Sequence, residues 1–285
     1  EHIQGALTKG YIMAEVPIYR CKRCGETIYP VCPSCGEKTE KIYFCKQCGM
    51  NIETENCEKH GKAMSYKEMK IDIKELMTNH LKNLKLNSYP DLIKGVRGVS
   101  NEAHIPENLA KGILRAANEV YVNKDGTTRY DMTEMMITHF KPKEIGTTIE
   151  RLKGLGYEND VYGKPLENEN QILEMKAQDI ILPACEESPD EGADKVLVRV
   201  SNFVDDMLEK MYGLERYYKA TKPEDLVGHL VIGLSPHTTA GIAGRIIGFS
   251  KTQGFLTHPF YHSFMRRDCD GDEAGVMLMM DALLN

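Results

Sequence analysis

No apolar run in this 285-residue sequence approaches the ~18–20 residues that a membrane-crossing helix requires. No signal-peptide pattern opens it either. A spanning helix is excluded, and no membrane partner is expected. Net charge is equally spare at −6, so the chain as a whole advertises no polyanionic partner. A third absence is local and says more. From Leu226 to Arg267, 42 residues, there is no Asp or Glu, although the chain's average density of acids would place about six there. The same window carries Arg245, Lys251, Arg266 and Arg267, and four of the nine histidines. Two readings stand. A buried, glycine-rich core excludes acids for packing reasons alone, or a cationic wall surrounds an anionic pocket, as in a site that handles phosphates beside a metal. His237, His258 and His262 could face such a pocket, although a packed, hydrogen-bonded histidine is the plainer role for each.

What is present is ordinary in bulk. At 41% hydrophobic and 27% charged residues over 32.2 kDa, the chain can bury a sizeable core and make more than one domain. It opens on Glu1 without a methionine and stops at Asn285, shortly after its most acidic stretch, so it reads as an excerpt of a longer protein.

The cysteines sort by spacing. Cys21-Lys-Arg-Cys24-Gly precedes Cys32-Pro-Ser-Cys35-Gly; Cys45-Lys-Gln-Cys48-Gly precedes Cys57-Glu-Lys-His60-Gly. In each knuckle two ligand atoms approach one ion, and the glycine behind them permits the tight backbone that aims amide N–H groups at sulfur. Two knuckles close a tetrahedral site. The spacing predicts two structural Zn²⁺ ions, one on Cys21, Cys24, Cys32 and Cys35, the other on Cys45, Cys48, Cys57 and His60. A disulfide framework suits small secreted chains, but four knuckles in series, each followed by glycine, favour zinc. Short intervals favour two consecutive ribbons over crossed sharing of ligands. Closed sites leave no position for water, so no catalysis is assigned to them. Cys185 and Cys269 are left over as reduced thiols, which fits a cytosolic location; acids on both sides of Cys269 disfavour its thiolate.

Three regions follow. Residues 1–66 form the zinc-ribbon module, fed by a strand at Gly10–Arg20. Residues 67–115 form a helical linker, beginning with an amphipathic basic helix over Lys67–Leu86; Pro106 opens a second, short helix, PENLAKGILRAAN, that runs across its end. Residues 116–285 hold the β core. There Glu119–Asp131 reads as a hairpin turning at Asp125-Gly126. Lys195–Leu214 reads as a helix whose stripe of Val196, Val200, Phe203, Val204, Met207, Leu208 and Met211 faces the core. GHLVIGLS is a strand, PHTTAGIAGRIIGF packs closely on something through its small residues, and GVMLMMDALL is buried.

Between these lies RRDCDGDEAG, residues 266–275. Alternating acids on an extended segment point to one face and crowd there. A bend at Gly271 can wrap Asp268, Asp270 and Asp272 around one hard cation; without one the carboxylates repel and one of them protonates. Mg²⁺ suits oxygen ligands and keeps waters for substrate phosphates. An EF-hand loop also begins DxDxD but needs Gly at its sixth position and Glu at its twelfth, where this chain has Glu273 and Met279. A solvated acidic turn remains as the bland alternative, set back by Arg266-Arg267 and the acid-free run upstream.

DCDGDEAGVML resembles the metal-binding loop of multisubunit RNA polymerases, which has the form DxDGD and sits on a double-psi β-barrel. Over nearly its whole length the chain is more closely similar to the large subunit of the archaeal family D DNA polymerase. SPHTTAGIAGRIIGF, HPFYH, RRDCDGDE, KGILRAANEVYV, THFKPKEIG, YGKPL and FVDDMLEKMYGL carry that similarity, with the tandem knuckles before them. The resemblance implies an α+β fold in which residues 116–285 are a double-psi β-barrel catalytic domain, with a helical insertion at about 143–220. It implies Mg²⁺-dependent transfer of a deoxynucleotide to a primer 3′-hydroxyl, with primer-template DNA as partner. It also implies a small subunit carrying a 3′–5′ exonuclease, a sliding clamp, and a cytoplasmic, nucleoid-associated setting. Asp270 and Asp272 match the family pattern; Asp268 stands where that pattern has Asn, so it is an added ligand or a group behind the ligands. Arg245, Lys251, Arg266 and Arg267 become candidates for contacts to triphosphate or DNA backbone. A first barrel expected upstream is not in this chain. Two alternatives stay open: an RNA polymerase-like subunit, and a non-catalytic zinc-ribbon module that binds nucleic acid or protein.

Overall fold

The computed structural model describes residues 3–90, 92–94, 107–123, 126–235, 240–266 and 273–284. These residues form two compact units. One holds the described residues through Ala117 together with Gly126; the other holds Asn118–Asn123 and Thr127 onward.

In the first unit, helix α1 (Ile3–Lys9) leads into strand β1 (Tyr11–Pro17). The first pair of cysteine knuckles follows in a small ribbon of β2 (Tyr19–Cys21), β3 (Gly25–Thr27) and β4 (Glu40–Lys41). The second follows as β5 (Tyr43–Cys45), β6 (Met50–Ile52), β7 (Asn56–Cys57) and β8 (Gly61–Lys62). Strand β9 (Tyr66–Asp72) then returns antiparallel to β1, with Pro17 opposite Tyr66 and Tyr11 opposite Asp72. Both ribbons are therefore a loop whose ends are tied by one pair of strands. Helix α2 (Ile73–Asn83) continues from β9, and α3 (Leu109–Ala117) ends the unit.

The basic helix expected from Lys67 thus begins six residues later. Over Lys67–Asp72 the side chains alternate with the period of a strand, and β1 supplies a pairing partner that local periodicity cannot reveal. Asp72 ends the strand and starts the helix, its carboxylate accepting the Glu75 N–H at 2.9 Å.

The second unit is built on a closed six-stranded barrel of β10 (Tyr130–Met136), β13 (Asp179–Pro183), β14 (Leu230–Leu234), β15 (Gly241–Ser250), β16 (Phe255–Thr257) and β17 (Glu273–Leu278). Around the barrel the order is β10-β16-β13-β15-β14-β17, returning to β10. The β10/β16 and β13/β15 pairs are parallel and the others antiparallel. Between β10 and β13 the chain makes the two-stranded pair β11 (His139–Phe140) and β12 (Leu173–Glu174), with helix α4 (Ile149–Gly154). Phe140, Ile145, Leu152, Tyr157, Leu166 and Leu173 form a core there that includes Ile181 and Ile247 from the barrel. The long helix α5 (Ala193–Tyr212) carries the expected apolar stripe inward, with Val196 and Met211 only half-buried at its edges. Short helices α6 (Pro259–Phe264) and α7 (Met279–Leu284) flank β17 in sequence, and Ala274–Leu278 of β17 are all buried.

Two expectations change here. Residues 143–220 contain α4 and α5 but also β13, a barrel strand. Its run Asp179-Ile-Ile-Leu-Pro183 is buried throughout, so it shows no alternation by which a strand would announce itself. Nor, among the described residues, do Glu119–Asp131 form a strand ladder of their own. The Asn123 N–H donates to the Thr127 carbonyl, but Tyr130–Thr133 give their ladder bonds to β17; Asp125, at the expected turn, lies outside the described residues.

Candidate functional site

The two predicted ligand sets converge. In each of the groups Cys21/Cys24/Cys32/Cys35 and Cys45/Cys48/Cys57/His60, the ligand atoms lie within 4.8 Å of one another. Cys21 and Cys35 sulfurs are 3.5 Å apart, Cys48 and Cys57 3.7 Å, and His60 Nδ1 is 3.1 Å from Cys48 Sγ and 3.6 Å from Cys45 Sγ. A tetrahedron with Zn–S bonds near 2.3 Å has S···S edges of about 3.8 Å. The spacing is that of a zinc site, and the sets can hold the ion through four thiolates in the first and three thiolates and an imidazole in the second.

Local backbone explains the convergence. Gly25, Gly36, Gly49 and Gly61, one behind each knuckle, have φ of 92°, 74°, 68° and 75°, the left-handed region that a side chain disfavours. This turn aims N–H groups at sulfur. Those of Arg23 and Cys24 hold the Cys21 thiol down to about 7, and those of Lys59 and His60 help hold Cys57 down to about 6. Their neighbours move the other way. Hydrogen bonding to Cys35 pushes Cys24 up to about 12, and hydrogen bonding to Cys45 pushes Cys48 up to about 11. Four such sulfur and nitrogen donors cannot all present lone pairs to one point unless a cation sits there.

At the barrel, Leu234 of β14 opposes both Gly241 of β15 and Gly275 of β17, and Glu273 of β17 opposes Thr133 of β10. These residues mark one rim. Helix α6 is locked beneath it. His258 caps the helix, its Nδ1 accepting the Phe260 N–H at 3.1 Å, and Pro259 takes the first helical position. Tyr261 is wholly buried and donates its hydroxyl to the Ile242 carbonyl at 2.8 Å. A Cβ on Gly233 or Gly244 would meet that hydroxyl, so the glycines of β14 and β15 are the space into which Tyr261 fits. Gly248 similarly admits Ile145 and Thr147. The small-residue segment read in the sequence thus packs against these three side chains. Burial raises the Tyr261 hydroxyl well above its ordinary 10.0.

Of the cations predicted to meet phosphate, Lys251 and Arg266 are exposed. Arg245 is otherwise engaged. Its guanidinium makes two bonds of 2.8 Å to the buried Asp179 carboxylate and donates to the Leu155 carbonyl at 3.1 Å. Tyr157 donates to the same carboxylate at 2.5 Å, and burial pushes its hydroxyl far up. Of the histidines, His258 is the cap just described and His262 is buried, its Nδ1 3.0 Å from Glu134. Arg267, Asp268, Asp270, Asp272, Cys269 and His237 lie outside the described residues.

Sequence reasoning passed over Glu134, Asp179 and Asp205, three carboxylates hidden in the second unit. The one available signal was an acid at an inward-facing position of an alternating strand, as Glu134 is in YDMTEMM.

Two family models match. Residues 86–285 match the catalytic domain of the DNA polymerase II large subunit DP2, and residues 2–54 match that subunit's central domain. The DNA polymerase II large subunit of Archaeoglobus fulgidus is 49% identical over 279 residues, 97% of this chain and 24% of that protein. That of Pyrococcus furiosus is 47% identical over 296 residues, 99% of this chain and 23% of the relative. That of Nanoarchaeum equitans is 43% identical over 320 residues, with shares of 98% and 26%. The chain spans about a quarter of the length of the curated relatives it matches.

Proposed function

The chain belongs to the DNA polymerase II large subunit family, and from that premise we propose that it is the portion of such a subunit that carries the nucleotidyl-transfer site. The observation that carries this reading is the position of RRDCDGDE. It lies within the match to the catalytic domain, and in sequence it follows α6 and ends on Glu273, the first residue of the barrel strand β17. A hexameric ring of strands with two parallel pairs supports a double-psi barrel, the fold on which the DxDGD loop is expected.

In this reading Asp270 and Asp272, with Asp268 beside them, hold Mg²⁺, which when bound lowers the pKa of a primer 3′-hydroxyl and stabilises charge at phosphorus. Lys251, Arg266 and Arg267 contact DNA backbone or triphosphate; Arg245 braces the barrel instead. The two zinc ions are structural. Regions 1–66, 67–115 and 116–285 serve as zinc module, connector and catalytic domain. Primer-template DNA and deoxynucleotides are the substrates. An exonuclease small subunit and a sliding clamp are the partners, in a cytoplasmic, nucleoid-associated setting. The names of the relatives favour a DNA product over an RNA one.

Asp270→Asn and Asp272→Asn, each in the complete complex, test the reading. Each removes a full negative charge from an ion whose task is to stabilise charge on a phosphoryl group. Nucleotide incorporation is expected to fall by several orders of magnitude, with primer-template binding kept, because that binding rests on a wider cationic surface. Asp268→Asn is expected to be milder. Near-normal incorporation by both of the first two variants would leave the zinc-ribbon binding module as the function.

A further inference from the structure

Glu134 is a charge in a place where barrel packing has no use for one. Its side chain is 1% exposed. Thr257 Oγ1 donates to one carboxylate oxygen at 2.6 Å, and His262 Nδ1 lies 3.0 Å from the other. Taking a carboxylate out of water is costly, and an apolar residue of similar volume commonly packs such a site as well or better. Its connections indicate what it does. Thr257 ends β16 and His262 lies in α6, the helix that leads through Met265 and Arg266 to residue 267. On the other side Thr133, the neighbour of Glu134 on β10, pairs with Glu273, the first residue of β17. The described flanks of the acidic segment are thus anchored at one two-residue step of β10. Backbone pairing holds the trailing flank, and the Glu134 side chain holds the leading one.

α6 transmits that anchorage as a rigid piece. Tyr261 is fixed to Ile242, and Met265 is buried and packs over Gly233. The helix can shift only by disturbing β14 and β15 as well. We propose that Glu134 is a positioning residue for metal binding: acting through Thr257 and His262, it sets where the chain enters the acidic segment relative to where β17 leaves it. This rests on the reading of Asp270 and Asp272 as Mg²⁺ ligands. Residues that orient ligands in this indirect way typically change metal affinity 10–100-fold when altered.

The test is a Mg²⁺ titration of the complete complex, read both by nucleotide incorporation and by direct metal binding in isothermal titration calorimetry. Glu134→Ala, Glu134→Gln and Thr257→Val are compared with the unaltered protein, and Asp270→Asn runs alongside. Glu134→Ala is expected to raise the half-saturating Mg²⁺ concentration about tenfold or more, with primer-template affinity unchanged. Glu134→Gln, which can still accept from Thr257, is expected to fall between Glu134→Ala and the unaltered protein. Thr257→Val, which removes one bond at equal volume, should shift the metal midpoint in the same direction. A merely structural role would lower thermal stability and leave every metal midpoint in place, and that result overturns the proposal. If Glu134→Ala fails to fold, the other two variants decide. If Asp270→Asn itself left incorporation intact, the metal reading would have failed. An inactive Asp270→Asn beside unshifted Glu134 and Thr257 variants would fail this inference alone.

Discussion

Arg245 stands in an acid-free window of the sequence, yet its partner Asp179 comes from 66 residues away. Nothing local announces the pair, which is why a cation that reads as free for phosphate is a brace instead. The bond is bidentate to a carboxylate only 3% exposed, so removing the guanidinium strands a buried charge. Arg245→Ala is expected to destabilise the barrel unit by roughly 3 kcal/mol in urea unfolding, with primer-template affinity at fixed salt unchanged. Weakened DNA binding at full stability would return Arg245 to the nucleic-acid surface. His229 supports a pH prediction. Burial first, and then the Arg151 charge, hold its pKa below the ordinary 6.5. The folded state prefers the neutral ring, so its contribution is complete above about pH 6.5 and is lost as pH falls toward the depressed folded value. The urea midpoint of the barrel unit should drop below pH 6.5, and His229→Gln should flatten that drop. An equal slope in the variant would assign it to other groups.

Elements were legible where their signal is local. The four knuckles, α5 and the strand at Leu230–Leu234 each carry their own pattern. β9 reads as helix in the sequence because it is short and runs straight into α2, and the partner β1 that makes it a strand lies about fifty residues earlier. β13 was hidden by its uniform burial. The acidic segment stands out in the sequence by composition alone, while Glu134, Asp179 and Asp205 do not, since their partners assemble only in the fold. Asp205 on α5 shows how such a group binds elements together. It is wholly buried and accepts the N–H groups of Tyr217, Tyr218 and Lys219 at 2.8, 2.9 and 2.7 Å. In turn the Tyr218 hydroxyl accepts the Met280 N–H of α7. Asp205→Ala leaves three donors without an acceptor, and a loss of about 3 kcal/mol is expected. Asp205→Asn should recover part of it. For the zinc ribbons, metal analysis of protein purified without chelator should find two Zn²⁺ per chain. Cys24→Ser should release one and disorder its ribbon, while circular dichroism and NMR signals of the barrel persist. One ion or none in the unaltered protein would count against both sites.

At the scale of the molecule, closure matters in both units. The barrel has no free edge strand, because β17 returns to β10. The span with the two cysteine clusters closes differently, through the β1/β9 pair, which brings Pro17 directly opposite Tyr66. Paired strands stand about 5 Å apart. The span from residue 18 to residue 65 therefore leaves and re-enters the chain at nearly one point, and a two-residue Asn-Gly turn can bridge the gap. The module has the form of a detachable cassette. Its excision should leave a β1/β9 hairpin with α2 still capped by Asp72, and the excised piece should fold with zinc when grafted onto the tip of an unrelated hairpin. Exchange of the cysteine-bearing part would therefore need only a few contacts outside the splice to be matched again, chiefly the Asn83 donation to the Pro33 carbonyl and the Lys67–Glu26 pair.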